Sequence, residues 1–324
     1  MEPEHLGDLA RSANDMAAAV LFGSYFFVGV VARPAFRATV GGEEAWLALA
    51  RGHRIIMGTA LLAAFLAMLA WHWSVAAIMS DAPLGDALSP GLFATVLRET
   101  SFGTMMVLRA ALLALLALVF LGQRKAARAA PHTLPWRAGT LLAGALLAAI
   151  ALTGHAYAET GPGWAWHLAA DMVHLLAFGA WLGSLPLLFI LLSGARRAGD
   201  LAALALAAAA ARRYSALGIV SVTAIVATGL VNSWFTVGRL AALTGSRHGQ
   251  LLLAKLAIFV VMLAIAALNL LRETPRLGES SQPAERTAAL VRLRRNIRVE
   301  MALAVLLLLV VGALVAAAPT PPVE

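Results

Sequence analysis

The chain has 324 residues, 61% of them hydrophobic and 13% charged, with a mean hydropathy of +0.82, which excludes an ordinary soluble domain. A net charge of +8 does not mark a nucleic-acid binder here, because the arginines sit in short connections between apolar runs, where such charges set orientation in a bilayer. There is no cysteine, which excludes disulfides, thiolate metal sites and thiol redox chemistry and leaves His, Met, Asp and Glu as metal ligands.

Apolar runs of about 20 residues, each enough to cross a hydrocarbon core of about 30 Å, predict an all-α, polytopic integral membrane protein. Eight transmembrane helices are expected at about 14–35, 55–79, 102–122, 137–154, 167–192, 214–236, 250–271 and 299–317. The N-terminus is acidic (Glu2, Glu4, Asp8) and its first apolar run is long, so no cleavable signal peptide is expected. Alternate connections are rich and poor in Lys and Arg, 19 against 4. The positive-inside rule then puts both termini in the periplasm of a bacterial inner membrane. Trp71 and Trp73, with Trp164 and Trp166, fall at the outer interface as expected of aromatic anchors. The basic 272–298 connection reads as a cytoplasmic surface segment.

The chain reads as a single transmembrane domain with two four-helix halves, 1–150 and 151–324. A weak repeat links them. Asp15-Met16 stands before Phe22-Gly23 as Asp171-Met172 stands before Phe178-Gly179, and Gly103 precedes Arg109 as Gly249 precedes Lys255. A 4+4 arrangement would be parallel, related by an axis along the membrane normal; chance matching of apolar stretches is the bland alternative. The histidines do not repeat, because Ala18 stands where His174 would be matched.

The most unusual stretch is 153–183. It holds His155, His167 and His174 with Glu159 and Asp171, and no Lys or Arg interrupts it. On a helix, His167, Asp171, His174, Phe178 and Trp181 follow steps of 4, 3, 4 and 3 and share one stripe. Burying such a stripe in hydrocarbon is costly, so it suggests function. His155 and His167 are expected at the outer surface, with His174 about 10 Å deeper and His72 at a similar level. Met16, Met105, Met106 and Met172 also belong to outer helix ends. Imidazole suits copper and zinc and thioether selects Cu(I), so a His/Met set without Cys favours copper. Asp171 is placed to orient an imidazole from behind. The plainer reading is that interfacial histidines hydrogen-bond locally and methionines pack.

Arg109 and Lys255 lie about two turns below the outer surface and need partners; Asp171, Asp15, Glu99 and Glu159 are the candidates. Such a charge would gate or tune a metal site, or simply form an ion pair. Asn232 is a further polar lining candidate. His53 and Met57, four apart at the cytoplasmic start of the second span, form a candidate exit site or an interfacial pair. His5 and His248 have at most a recruitment role. No phosphate-binding loop, HExxH or GxSxG motif is present, so no enzymatic activity is expected.

Three segments carry a resemblance: ARRYSALGIVSVTAIVATGLVNSW, HGQLLLAKLAIFVVMLAIAALN and LRRNIRVEMALAVLLLLVVGAL. With Arg212-Arg213, Gly249 to Lys255, Ala267-Leu268-Asn269, Arg294 to Glu300, Gly154-His155, Asp171/His174 and Trp181-x-Gly183, residues 150–317 resemble the copper resistance protein D (CopD) family. The resemblance implies an eight-helix inner-membrane protein of copper homeostasis that moves copper, Cu(I) or Cu(II), inward beside a separate periplasmic copper-binding protein. In that reading His155 and His167 capture the ion, His174 holds it deeper with Asp171 behind, and His72 completes the set. Two alternatives stay open: a b-type haem electron-transfer protein using His72 with His174, or His155 with either, and a membrane copper chaperone that does not transport.

Overall fold

The computed structural model describes residues 2–40, 43–126, 136–153, 163–237 and 245–316. Among them every regular element is helical, and eight helices are long and apolar enough to cross a membrane. We number them α1 (Pro3–Arg37), α2 (Ala45–Met79), α3 (Ser101–Gln123), α4 (Trp136–Thr153), α5 (Trp164–Ala198), α6 (Leu201–Trp234), α7 (Arg247–Glu279) and α8 (Pro283–Leu314). The protein is a multi-pass membrane protein. Six of the eight helices exceed their predicted spans by about two turns or more. At 1.5 Å per residue a 35-residue helix runs about 52 Å, well beyond a core of about 30 Å. Hydropathy finds only the lipid-buried part; backbone hydrogen bonding continues through the polar ends. The basic connection at 272–298 is accordingly mostly helix, with α7 ending at Glu279 and α8 starting at Pro283.

The bundle is built around α1 and α5, which are each 67% buried along their most apolar stretch. α1 packs along α2 and also meets α4, α5 and α8. Small residues allow its approach to α5. A Cβ on Gly23 would collide with the backbone of Gly179, Gly183 and Ser184, and one on Gly183 would collide with the backbone of Ala19. Close crossings of this kind are how membrane helices gain packing energy when lipid is as apolar as their side chains. Ser184 Oγ seals the crossing by donating to the Gly23 carbonyl at 2.9 Å. By contrast only 6% of the same stretch of α7 is buried. α7 packs on α8; it meets α6 through its last turns, Thr274–Glu279, but barely along Arg247–Leu268, which leaves a seam between α6 and that part of α7.

Three interruptions in the helices coincide with prolines. α1 widens to a π turn at Val28–Ala32 before Pro34, α5 tightens to a 3-10 turn at Leu182–Ser184 before Pro186, and α7 widens at Asn269–Glu273 before Pro275. Proline lacks the N–H and crowds the preceding turn, so the helix re-registers just ahead of it. The α5–α6 turn has its own chemistry. Gly199 takes φ +70°, which a glycine tolerates at a helix C-terminus, and Asp200 Oδ1 accepts the Ala203 N–H at 2.6 Å to cap α6.

Trp164 and Trp166 are exposed, as interfacial anchors should be, but Trp71 is not. Its ring is enclosed by the guanidinium groups of Arg11 (5.4 Å) and Arg109 (5.5 Å) and by Phe102. Two cations close to one indole make its π face, rather than lipid headgroups, the partner.

Candidate functional site

The α6–α7 seam opens into a cavity of 520 Å³ walled by α5, α6, α7 and α8, with Arg11 reaching in from α1. All five members of the predicted stripe line it: His167, Asp171, His174, Phe178 and Trp181. This follows from helix geometry, since steps of three and four keep side chains on one face. Asn232 and Lys255 line it too. Most of the remaining wall is apolar, with Leu252, Phe259 and Leu307 among its residues.

Hydrogen bonds fix the orientation of these groups. Asn232 Nδ2 donates to Asp171 Oδ1 at 3.2 Å. His174 Nδ1 lies 3.0 Å from Thr228 Oγ1. The Thr228 hydroxyl donates its own proton back to the Ala224 carbonyl at 2.6 Å, so its oxygen is the acceptor and Nδ1 carries the hydrogen. That assignment leaves the lone pair on Nε2, the nitrogen a metal would use. Lys255 lies within 4.0 Å of no carboxylate among the described residues, so it adds a positive charge to the cavity without cancelling Asp171 in an ion pair.

The other sequence candidates sit elsewhere. His72 is buried outside this cavity, its Nε2 3.2 Å from the Phe93 carbonyl and its ring between Phe93 and Phe102. It is therefore not brought beside His174 in one cavity. Met16, Met105 and Met106 do not line the cavity either. His155 and Glu159 lie outside the described residues. Arg109 is buried among α1, α2 and α3, where it donates to Asn14 Oδ1 and stacks on Trp71. Asn14 in turn donates to the Ala64 carbonyl at 3.0 Å. An amide and an indole thus replace the carboxylate expected for Arg109. His53 and Met57 are both buried within the bundle, with His53 edge-on to Tyr25 at 5.2 Å.

Two further residues line the cavity. α7 begins at Arg247, capped by Ser246 Oγ accepting the Gly249 N–H at 3.0 Å, and so His248, expected to have at most a recruitment role, joins the lining. The Ser-Arg-His-Gly run before an apolar stretch is a legible N-cap signal. Arg11 lies ahead of the predicted 14–35 span but belongs to α1, which starts at Pro3. Among the described residues no three His, Asp or Glu side chains lie close enough to hold one metal ion. The polar groups are spread along the cavity from its mouth to Trp181.

Family comparison meets this geometry. Residues 4–166 match the model for the N-terminal domain of copper resistance protein D-like proteins, and residues 208–314 match that for copper resistance protein D. Copper resistance protein D of Pseudomonas syringae pv. tomato is 32% identical over 170 residues, covering 52% of this chain and 54% of the relative. Copper transport protein CutJ of Bacillus subtilis (strain 168) is 31% identical over 242 residues, 74% of this chain and 40% of the relative. Inner membrane protein YebZ of Escherichia coli (strain K12) is 28% identical over 233 residues, 71% of each. The chain thus spans about half the length of the first two. No solved structure matches it. With one family model covering half of its length and a second covering much of the remainder, the chain belongs to the copper resistance protein D family and is a membrane protein of copper homeostasis.

Proposed function

We propose that the protein takes copper from the periplasm into the α5–α8 cavity and moves it across the inner membrane. The observation that carries this reading is the His174–Thr228 pair within a chain of this family: a half-buried imidazole on the cavity wall whose Nδ1–H is engaged, leaving Nε2 to bind a metal. His167 lies seven residues nearer the helix start and receives the ion first, with His248 as a further donor in the lining and His155 as a candidate from the sequence. Asp171 supplies the compensating negative charge, held in place by Asn232. Lys255 and Arg11 raise the energy of a cation in the cavity, so the ion is held weakly enough to leave. The spread of donors suits an ion handed along a path better than one locked in a cage. Both termini face the periplasm in this reading, and a separate periplasmic copper-binding protein delivers the cargo. The relatives' names, one a copper transport protein and one an inner membrane protein, agree with it.

The test is the copper content and affinity of purified wild type, His174→Ala and His167→Ala. Loss of affinity in both is expected, and unchanged binding in both sinks the assignment. Copper uptake into proteoliposomes separates a transporter from a chaperone that only binds.

A further inference from the structure

Below Trp181 lies a second cavity, of 190 Å³, that the outer site does not use. Trp181 lines both, and its carbonyl accepts the Tyr214 hydroxyl at 2.8 Å. The lower cavity is enclosed by α5, α6, α7 and α8 and is mostly apolar, with Ile219, Val222, Leu263 and Leu293 among its walls. Its titratable side chains are Glu300 from α8 and Tyr214 from α6. α5 contributes only Trp181 and Leu188, and the polar groups from α7 are Asn269 and Thr274.

Glu300 is 1% exposed. Its one hydrogen bond among the described residues is from Asn269 Nδ2 at 3.1 Å, and no Lys or Arg among them lies within 4.0 Å of it. On the same helix Arg292 pairs with Glu273 at 2.8 Å, and Arg294 donates to Ser193 Oγ at 3.1 Å. Asn269 opens the π turn of α7 and is itself held by Asn296 Nδ2 at 2.8 Å. π turns inside α-helices recur at functional positions, and here the turn presents the amide to Glu300. A carboxylate in such surroundings must be neutralised by a proton or a bound cation. A hard metal ion needs several oxygens, charged ones above all, and besides Glu300 the side-chain oxygens here are neutral: the Asn269 oxygen accepts from Asn296, the Tyr214 hydroxyl is turned to Trp181, and the Ser215 and Thr274 hydroxyls face each other at 3.5 Å. No imidazole or thioether lines the cavity to hold copper for long.

We propose that Glu300 is a proton site, and that a cation passing Trp181 exchanges with the proton it holds. The carboxyl O–H bond breaks, the proton leaves toward the cytoplasmic side, and the carboxylate balances the arriving charge. When the cation moves on, a proton arriving from the periplasmic side bonds to the same oxygen, so that inward copper movement carries protons inward. The exchange rests on the transport reading; the proton site does not.

The test is infrared titration of the copper-free full chain. Wild type should show a protonation-dependent carboxyl C=O band that shifts in heavy water, lost in Glu300→Gln and displaced but present in Glu300→Asp. Copper affinity at the outer cavity, retained in both variants, checks that they fold. A Glu300→Gln spectrum with the wild-type band set overturns the proton site and leaves the outer assignment standing. In proteoliposomes carrying a lumenal pH dye, copper influx into wild type should move protons, and Glu300→Gln should lose that signal. Equal proton movement in the variant overturns the exchange.

Discussion

Thr228→Val tests the outer site most sharply, because it removes one oxygen and changes little else. Valine has nearly the shape of threonine, so the α5–α6 contact stays filled. The hydroxyl that accepts His174 Nδ1–H is lost, and the imidazole can then adopt either tautomer and turn. Removing such a supporting partner costs roughly 10- to 100-fold in metal affinity, which is about 1.4–2.8 kcal/mol. Competition against a chromophoric Cu(I) chelator in detergent measures this directly. The cycle with His174→Ala makes the test specific. If Thr228 acts through His174, the double variant binds no more weakly than His174→Ala alone. If Thr228→Val costs the same in both backgrounds, the two are independent, and the tautomer argument is wrong.

Lys255→Met should tighten copper binding. A 520 Å³ cavity is about 10 Å across, and at an effective dielectric constant of about 20 a unit charge at that distance contributes about 1.7 kcal/mol, or about tenfold or more in affinity; weaker binding would show that Lys255 does not oppose the cation. Gly183→Leu should destabilise the fold by at least about 1–3 kcal/mol, because its side chain has no room against Ala19. A thermal-unfolding midpoint equal to wild type would contradict the crossing. Tyr214→Phe removes the bond to the Trp181 carbonyl and should cost about 1 kcal/mol. Read by the same unfolding assay, no change would mean that water replaces the hydroxyl.

Much of this was legible before any coordinates. The His167–Asp171–His174–Phe178–Trp181 stripe is a matter of helical period, and the whole stripe lines one cavity. Eight spans followed from eight apolar runs. What stayed hidden depended on which helices meet. Thr228 looks like any threonine on an apolar helix until α6 is laid against α5. His72 and His174 lie at similar predicted depth, but depth does not say which cavity a side chain enters. Arg109 suggested a carboxylate, and the structure supplies Asn14 and Trp71 instead. Glu300 opens the predicted 299–317 span, directly after a basic run. Only the meeting of α6, α7 and α8 brings Tyr214 and Asn269 to it around one cavity.

The π turn at Asn269–Glu273 also constrains which changes of length the chain tolerates. A π turn holds one more residue than the α-helical turn it replaces, and each residue advances the helix by about 100°. Deleting a single residue there would let α7 close into regular α-helix, and because the lost residue is the extra one, the helix beyond would keep its angular position. The change would be felt inside the turn itself, where Asn269 meets Glu300 and Asn296 and where Glu273 meets Arg292. A deletion in regular α-helix would instead rotate everything after it by about 100°. The π turn is therefore the place where α7 can change its length by one residue and still present the same face to α8.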